Sequence, residues 1–147
     1  MAEWSLVPYL MVPDGAAAID FYVKAFGATE VVRLTTPDGS RVVHAELSIQ
    51  GAKLFLADEC GDPIQPGGRI GLHLEVPDAD AAQDRAAQAG ARIAMPVSEM
   101  FWGARYGKLE DPYGIVWSLS HQVRQPSEAE IKEAIADWCS NMASANP

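Results

Sequence analysis

One stretch of this chain occurs twice, and an internal repeat limits the possible architectures more than any other pattern. The first copy is Val12-Pro13-Asp14-Gly15-Ala16-Ala17-Ala18-Ile19-Asp20, closing at Phe26-Gly27-Ala28. The second is Val76-Pro77-Asp78-Ala79-Asp80-Ala81-Ala82, closing at Ala89-Gly90-Ala91. An alternating apolar segment precedes each, Leu6 to Val12 and Ile70 to Val76. Each copy predicts a strand, a capped helix and a glycine stop. Two similar modules follow, each with a strand feeding a helix that packs back on its own sheet.

A chain of 147 residues, 48% hydrophobic and 21% charged, forms one domain or two half-domains sharing a core. Its 11 basic and 20 acidic residues give a formal charge of −9. That balance argues against nucleic acid, because phosphate contacts need clustered Lys and Arg. It suits a cationic or neutral ligand, and it also keeps a protein in solution. Cys60 and Cys139 stand at no matched spacing, so a reduced, cytoplasmic protein is expected. The opening Met1-Ala2-Glu3-Trp4-Ser5 has no basic segment ahead of an apolar core, so no signal peptide is expected. No uncharged apolar run is long enough to span a bilayer, and no membrane partner is expected.

In the first module Asp14 is placed to cap the helix, with Ala18, Phe21, Tyr22 and Ala25 on its buried stripe and Gly27 as its stop. Strands are predicted at Thr29 to Thr35, Arg41 to Gln50 and Lys53 to Ala57, with Pro37-Asp38-Gly39 as a turn. The second module repeats the order. Ile70 to Val76, Arg92 to Pro96 and Ile115 to His121 read as strands, and Asp78 to Ala89 as a helix. Between them Ser98 to Lys108 reads as an added loop that the first module lacks. Asp111-Pro112-Tyr113-Gly114 matches the earlier turn. Past Arg124 the pattern changes. Ser127 and Glu130 form a capping box, and Ile131, Ile135, Trp138, Cys139 and Met142 make one helical stripe that needs a surface to dock on, in its own chain or in a second subunit.

Alternation along the strands divides their faces. Leu72, Leu74 and Val76 share one face and Gly71, His73 and Glu75 the other; Val43, Ala45, Leu47 and Ile49 oppose His44, Glu46, Ser48 and Gln50. The apolar faces should lie under the helices. Aligning the repeats puts Val7, Tyr9 and Met11 on the same side as the histidines, and parity groups Ser118 with Ser120. This polar face is an open sheet surface, a satisfied polar cluster, a small-molecule pocket or a metal site. As a pocket it would be anionic and would favour a positively charged or hydrogen-bond-donating ligand.

Phe101-Trp102-Gly103-Ala104-Arg105-Tyr106-Gly107-Lys108 is the other candidate, either a binding mouth or a plug for one end of the barrel. Arg105 and Lys108 also have Glu110 and Asp111 close by as salt-bridge partners. No serine sits in a nucleophile elbow and no glycine-rich loop adjoins a lysine in the manner of a phosphate site.

Two such modules carrying Phe21-Tyr22, Phe26-Gly27-Ala28, His44-Ala45-Glu46-Leu47, Phe101-Trp102-Gly103 and Asp111-Pro112-Tyr113-Gly114-Ile115-Val116-Trp117 resemble the glyoxalase/bleomycin-resistance (vicinal oxygen chelate) superfamily, and within it the PhnB-like proteins. The resemblance runs from Leu6 to about His121. It implies an α+β fold in which two βαβββ modules form an eight-stranded cup with helices outside, here followed by a C-terminal helix. Module one would take residues 5–58, a linker 59–68, module two 69–122 and a helical tail 126–142. It implies a homodimer. It also implies four inward metal positions, which fall here on Val7, Glu46, Gly71 and Ser118. Only Glu46 is a good ligand, whereas a tight divalent site needs three or four N or O donors. No metal and no other cofactor is therefore expected, although a displaced His44-Glu46-His73 set is conceivable.

Three functions compete. The first is a metal-independent binding protein that occludes a small molecule in the cup or the dimer crevice, using Tyr9, His44, Glu46, His73, Glu75, Trp102, Arg105 and Ser118. The second is a metal-dependent lyase, isomerase or dioxygenase with Glu46 as general base. The third is a dimeric module whose C-terminal helix recruits a partner through Ile131, Ile135 and Trp138.

Overall fold

A computed structural model describes residues 6–59 and 70–145, with side chains to residue 137. The expected linker therefore lies outside the described residues but for Glu59, as do Cys60 and the side chains of Trp138, Cys139 and Met142.

Module one comprises β1 (Tyr9–Val12), α1 (Gly15–Phe26), β2 (Thr29–Thr35), β3 (Val42–Ile49) and β4 (Ala52–Asp58). Module two comprises β5 (Gly71–Glu75), α2 (Ala79–Ala89), β6 (Arg92–Glu99), β7 (Ala104–Glu110) and β8 (Val116–Gln122), and α3 (Glu128–Ala145) follows. The eight strands divide into two four-stranded sheets ordered β1-β4-β3-β2 and β5-β8-β7-β6. In each the first strand runs parallel to the last and the remaining pairs are antiparallel. This is the repeated α+β plan that the sequence led us to expect.

The caps show why the helices start and stop where they do. The Asp14 carboxylate accepts from the Ala17 N–H and the Asp78 carboxylate from the Ala81 N–H, both at 3.1 Å. Gly27 closes α1 at φ 68°, in the left-handed region that suits glycine. Ser127 Oγ accepts from the Glu130 N–H and donates to its carboxylate, opening α3.

One core joins the modules. Tyr22 and Phe26 of α1 pack with Trp117 and Leu119 of β8, and Leu47 and Leu56 complete the cluster from the first sheet. The helices also touch: the Arg85 guanidinium of α2 donates to the Lys24 carbonyl in the last turn of α1. Each sheet thus turns its apolar face to the helices and its polar face away from them.

Two local readings are corrected. Val43 was expected beside Ala45 on the buried face, but the register slips between Leu34 and Thr35. Val42 takes the buried place and Val43 is 57% exposed. The segment expected as a loop, Ser98 to Lys108, contains the end of β6, a turn and most of β7. Pro96 cannot donate to the ladder, and the β6–β7 register shifts between Met95 and Ser98. The buried Gln83 of α2 repairs the gap, donating to the Met95 and Lys108 carbonyls and accepting from the Val97 N–H.

Candidate functional site

Two clusters occupy the polar faces, one on each sheet. On the first, Tyr9, Phe55, Glu46 and Val32 form one row across β1, β4, β3 and β2. His44 stands two residues from Glu46 along β3. The Tyr9 hydroxyl lies 3.1 Å from His44 Nδ1, and both rings meet Phe55 edge-on, at 5.9 and 4.9 Å between centroids. Glu46 is half-buried and forms no ion pair among the described residues. The result is a carboxylate beside an aromatic wall, a setting that favours an organic cation.

On the second sheet His73 lies opposite Ser118, and Glu75 opposite Ser120, in the parallel β5–β8 ladder. His73 Nδ1 is 2.6 Å from Ser118 Oγ; its Nε2 is 2.9 Å from the Glu75 carboxylate and 3.1 Å from Ser120 Oγ. Ser120 is buried and also donates to the other Glu75 oxygen. Tyr106 of β7 lies nearly parallel to the His73 ring at 6.2 Å, and Trp102 meets Tyr106 edge-on at 5.5 Å.

Seven of the eight expected residues are thus gathered into these clusters: Tyr9, His44 and Glu46 in one, and His73, Glu75, Ser118 and Trp102 in the other. Arg105 is not. Its strand parity turns it to the helix side, where it pairs with Asp80 of α2 at 2.7 Å. That bond holds the Asp80 carboxyl below its ordinary range and raises the guanidinium. Among the described residues no hydrogen bond links the two clusters, and no strand of one sheet pairs with a strand of the other.

The donor set does not fit a resident divalent metal. Gly71 has no side chain, Val7 has no donor, and Ser118 is committed to His73. His44, Glu46 and His73 do not converge: among the described residues no three of His, Cys, Asp and Glu gather as a metal site.

Phe55 belongs to the first cluster without having been a sequence candidate; Tyr106, from the candidate segment Phe101 to Lys108, and Ser120 belong to the second. Parity had already grouped Ser120 with Ser118. Phe55 required the β1–β4 pairing, which local patterns do not reveal. Tyr106 stands in the candidate segment, but reading that segment as a loop hid its place beside His73.

The clusters belong to a known fold. The profile of the Glyoxalase/Bleomycin resistance protein/Dioxygenase superfamily matches residues 5–119. An uncharacterised protein of Mycobacterium tuberculosis is 43% identical over 143 residues, spanning 91% of this chain and 84% of that one. An uncharacterised Arabidopsis thaliana protein is 30% identical over 117 residues, 71% of this chain and 70% of that one. Among solved structures, TioX from Micromonospora sp. ML1 superposes with a TM-score of 0.64 at 26% identity, covering 82% of this chain and all of that one. A PhnB protein from Bacillus cereus shares the fold at TM-score 0.67 and 19% identity, covering 80% and 99%. With its repeated modules, its two four-stranded sheets and a profile match over most of its length, the chain belongs to the glyoxalase/bleomycin resistance/dioxygenase superfamily.

Proposed function

We propose that this protein is a metal-independent small-molecule-binding protein that holds an organic cation against the polar faces of its sheets, in a cup or crevice completed by a second copy of the chain. One observation carries the reading: Glu46 is half-buried without a cationic partner among the described residues, beside the Tyr9, His44 and Phe55 rings. A carboxylate in that setting gains more from a cationic guest than one in open water does. The second cluster supplies aromatic surface from Tyr106 and Trp102 and further negative charge from Glu75.

Exposed apolar side chains support the homodimer. Tyr9, Met11 and Val32 are each 40–42% exposed and Leu34 is 55% exposed, all toward the polar face of the first sheet. A second copy would cover them. Leu34→Glu should then shift sedimentation from dimer to monomer while the circular dichroism spectrum is kept. A reduced cytoplasmic setting belongs to the same reading. No helix among the described residues is long and apolar enough to cross a membrane.

The test is a thermal-shift and calorimetric screen against cationic glycopeptide antibiotics, α-keto aldehydes and divalent metals, since a bound ligand raises apparent stability by mass action. A cationic ligand should register, and Glu46→Gln should weaken it about tenfold or more, as expected for the loss of a charged contact. Unchanged affinity in that variant, or stoichiometric metal in protein purified without chelator, would reject the reading.

A further inference from the structure

The second cluster has the connectivity of an activated serine. His73 Nε2 faces the Glu75 carboxylate at 2.9 Å, which favours the neutral tautomer with its proton on Nε2. Ser120, buried beneath the pair, bridges Nε2 and Glu75 and holds that arrangement. Nδ1 is left as an acceptor, and the hydroxyl it accepts from is Ser118, at 2.6 Å. A nucleophile within hydrogen-bond reach of a base, with the base oriented by a carboxylate, is the arrangement that nucleophilic catalysis requires. It is built on two strands of one ladder, so its spacing is fixed by sheet geometry and not by a loop.

The surroundings add what an acyl substrate needs. Lys108 of β7 pairs in register with Ser118, on the same face, and is exposed. Its ammonium can neutralise an oxyanion formed at Ser118. Gly71, one step along β5 from His73 on the same face, contributes no side chain, and a Cβ there would meet only the Val116 carbonyl at 3.7 Å. The face is therefore open on that side. Tyr106 and Trp102 offer rings for an aromatic group to lie against.

The geometry points to Ser118 as a nucleophile for esters that carry an aromatic ring, with His73 as its general base and Glu75 as the positioning residue. Ser118 Oγ forms a bond to the acyl carbon as its proton passes to His73 Nδ1, and the carbonyl electron pair moves onto oxygen beside Lys108. Collapse breaks the bond to the leaving oxygen, which takes the proton from His73. Water, deprotonated by the same nitrogen, then cleaves the acyl-serine. The sum is ester plus water giving acid plus alcohol. The side chains of His73 and Glu75 are 41% and 77% exposed, so the electrostatic benefit is partly screened and turnover is slow.

This activity shares the polar sheet faces with the binding reading but is tested on different residues. The 147-residue chain is treated with an aryl fluorophosphonate and, separately, with p-nitrophenyl benzoate. Peptide mass spectrometry should place the phosphonyl group on Ser118, and ester hydrolysis should exceed the buffer rate. Ser118→Ala should lose both. His73→Ala should slow labelling about hundredfold, at the low end for loss of a general base, and added imidazole should restore part of the rate, which a purely structural role would not allow. Should His73→Ala fail to fold, His73→Gln serves in its place. A folded wild type left unlabelled at Ser118, or labelling undiminished in the His73 variants, overturns the proposal. Loss of cation binding in Glu46→Gln with Ser118 labelling intact would separate the two readings.

Discussion

The Tyr22 hydroxyl donates to the Asp111 carboxylate across 2.6 Å, pinning the helix of one module to a turn of the other. Asp111 is buried and accepts three more bonds, from Trp117 Nε1 and from the Tyr113 and Ile115 N–H groups. It therefore closes its own turn and ties that turn to the shared core. Tyr22→Phe should cost about 2 kcal/mol, the loss of a hydrogen bond to a charged acceptor. Asp111→Ala should cost at least about 3 kcal/mol, because two buried side-chain donors are then left unpaired. Urea denaturation checks both, and a smaller effect for Asp111→Ala than for Tyr22→Phe would contradict the arrangement.

The same pair predicts how stability falls in alkali. Burial, and then the Asp111 charge, push the Tyr22 phenol far above its ordinary value of 10.0. Above that pH the unfolded chain loses this proton while the folded chain keeps it. The stability tied to Tyr22 is thus fully present below pH 10 and is lost as pH rises beyond it, by up to about 1.4 kcal/mol per pH unit for one proton. Tyr113, raised mainly by its partial burial, adds in the same direction. Urea midpoints from pH 8 to 11 should fall less steeply in Tyr22→Phe than in the wild type.

Local chemistry made most of this fold legible before any coordinates. Asp14, Asp78 and Gly27 act within a few residues of their own positions, so the helix ends could be read directly. The face of β3 that carries His44 and Glu46 followed from period-two alternation. What stayed hidden depended on distant partners. Ala104–Glu110 holds Gly107 and no clean alternation, and it becomes a strand because β6 and β8 flank it. With β7 unseen, neither the turn of Arg105 toward Asp80 nor the placing of Tyr106 beside His73 could be deduced. The bulge at Val43 arises from pairing with β2, another relationship that is absent from the local pattern.

Gly107 shows what that hidden strand requires. A Cβ at this position would lie 2.7 Å from Gln83 Nε2, 2.7 Å from Val97 Cγ2 and 2.9 Å from the Met95 carbonyl. The glycine lets α2 reach the β6 irregularity closely enough for Gln83 to serve both strands. Gly107→Ala should destabilise the protein by about 1–3 kcal/mol, the usual cost of overpacking. Gln83→Ala should relieve part of the clash, so the double variant should lose less than the sum of the singles in a urea double-mutant cycle. Strict additivity would show that the two do not share this space.

Helix α3 poses the opposite case, an element with a good cap and no neighbouring element among the described residues. Among the described residues no other strand or helix lies against it, and Ile135 is 43% exposed. Most helical stability in a protein comes from packing, and the capping box of this helix contributes only about 1 kcal/mol. Little of the core's stability should then depend on it. A chain ending after Pro126 should keep its cooperative urea transition to within about 0.5 kcal/mol, the range of changes at sites outside a core. If the sheet face around Leu34 forms the dimer, this truncated chain should also sediment as the 147-residue chain does, whereas Leu34→Glu should not. Loss of the dimer on truncation alone would move the self-association surface to α3.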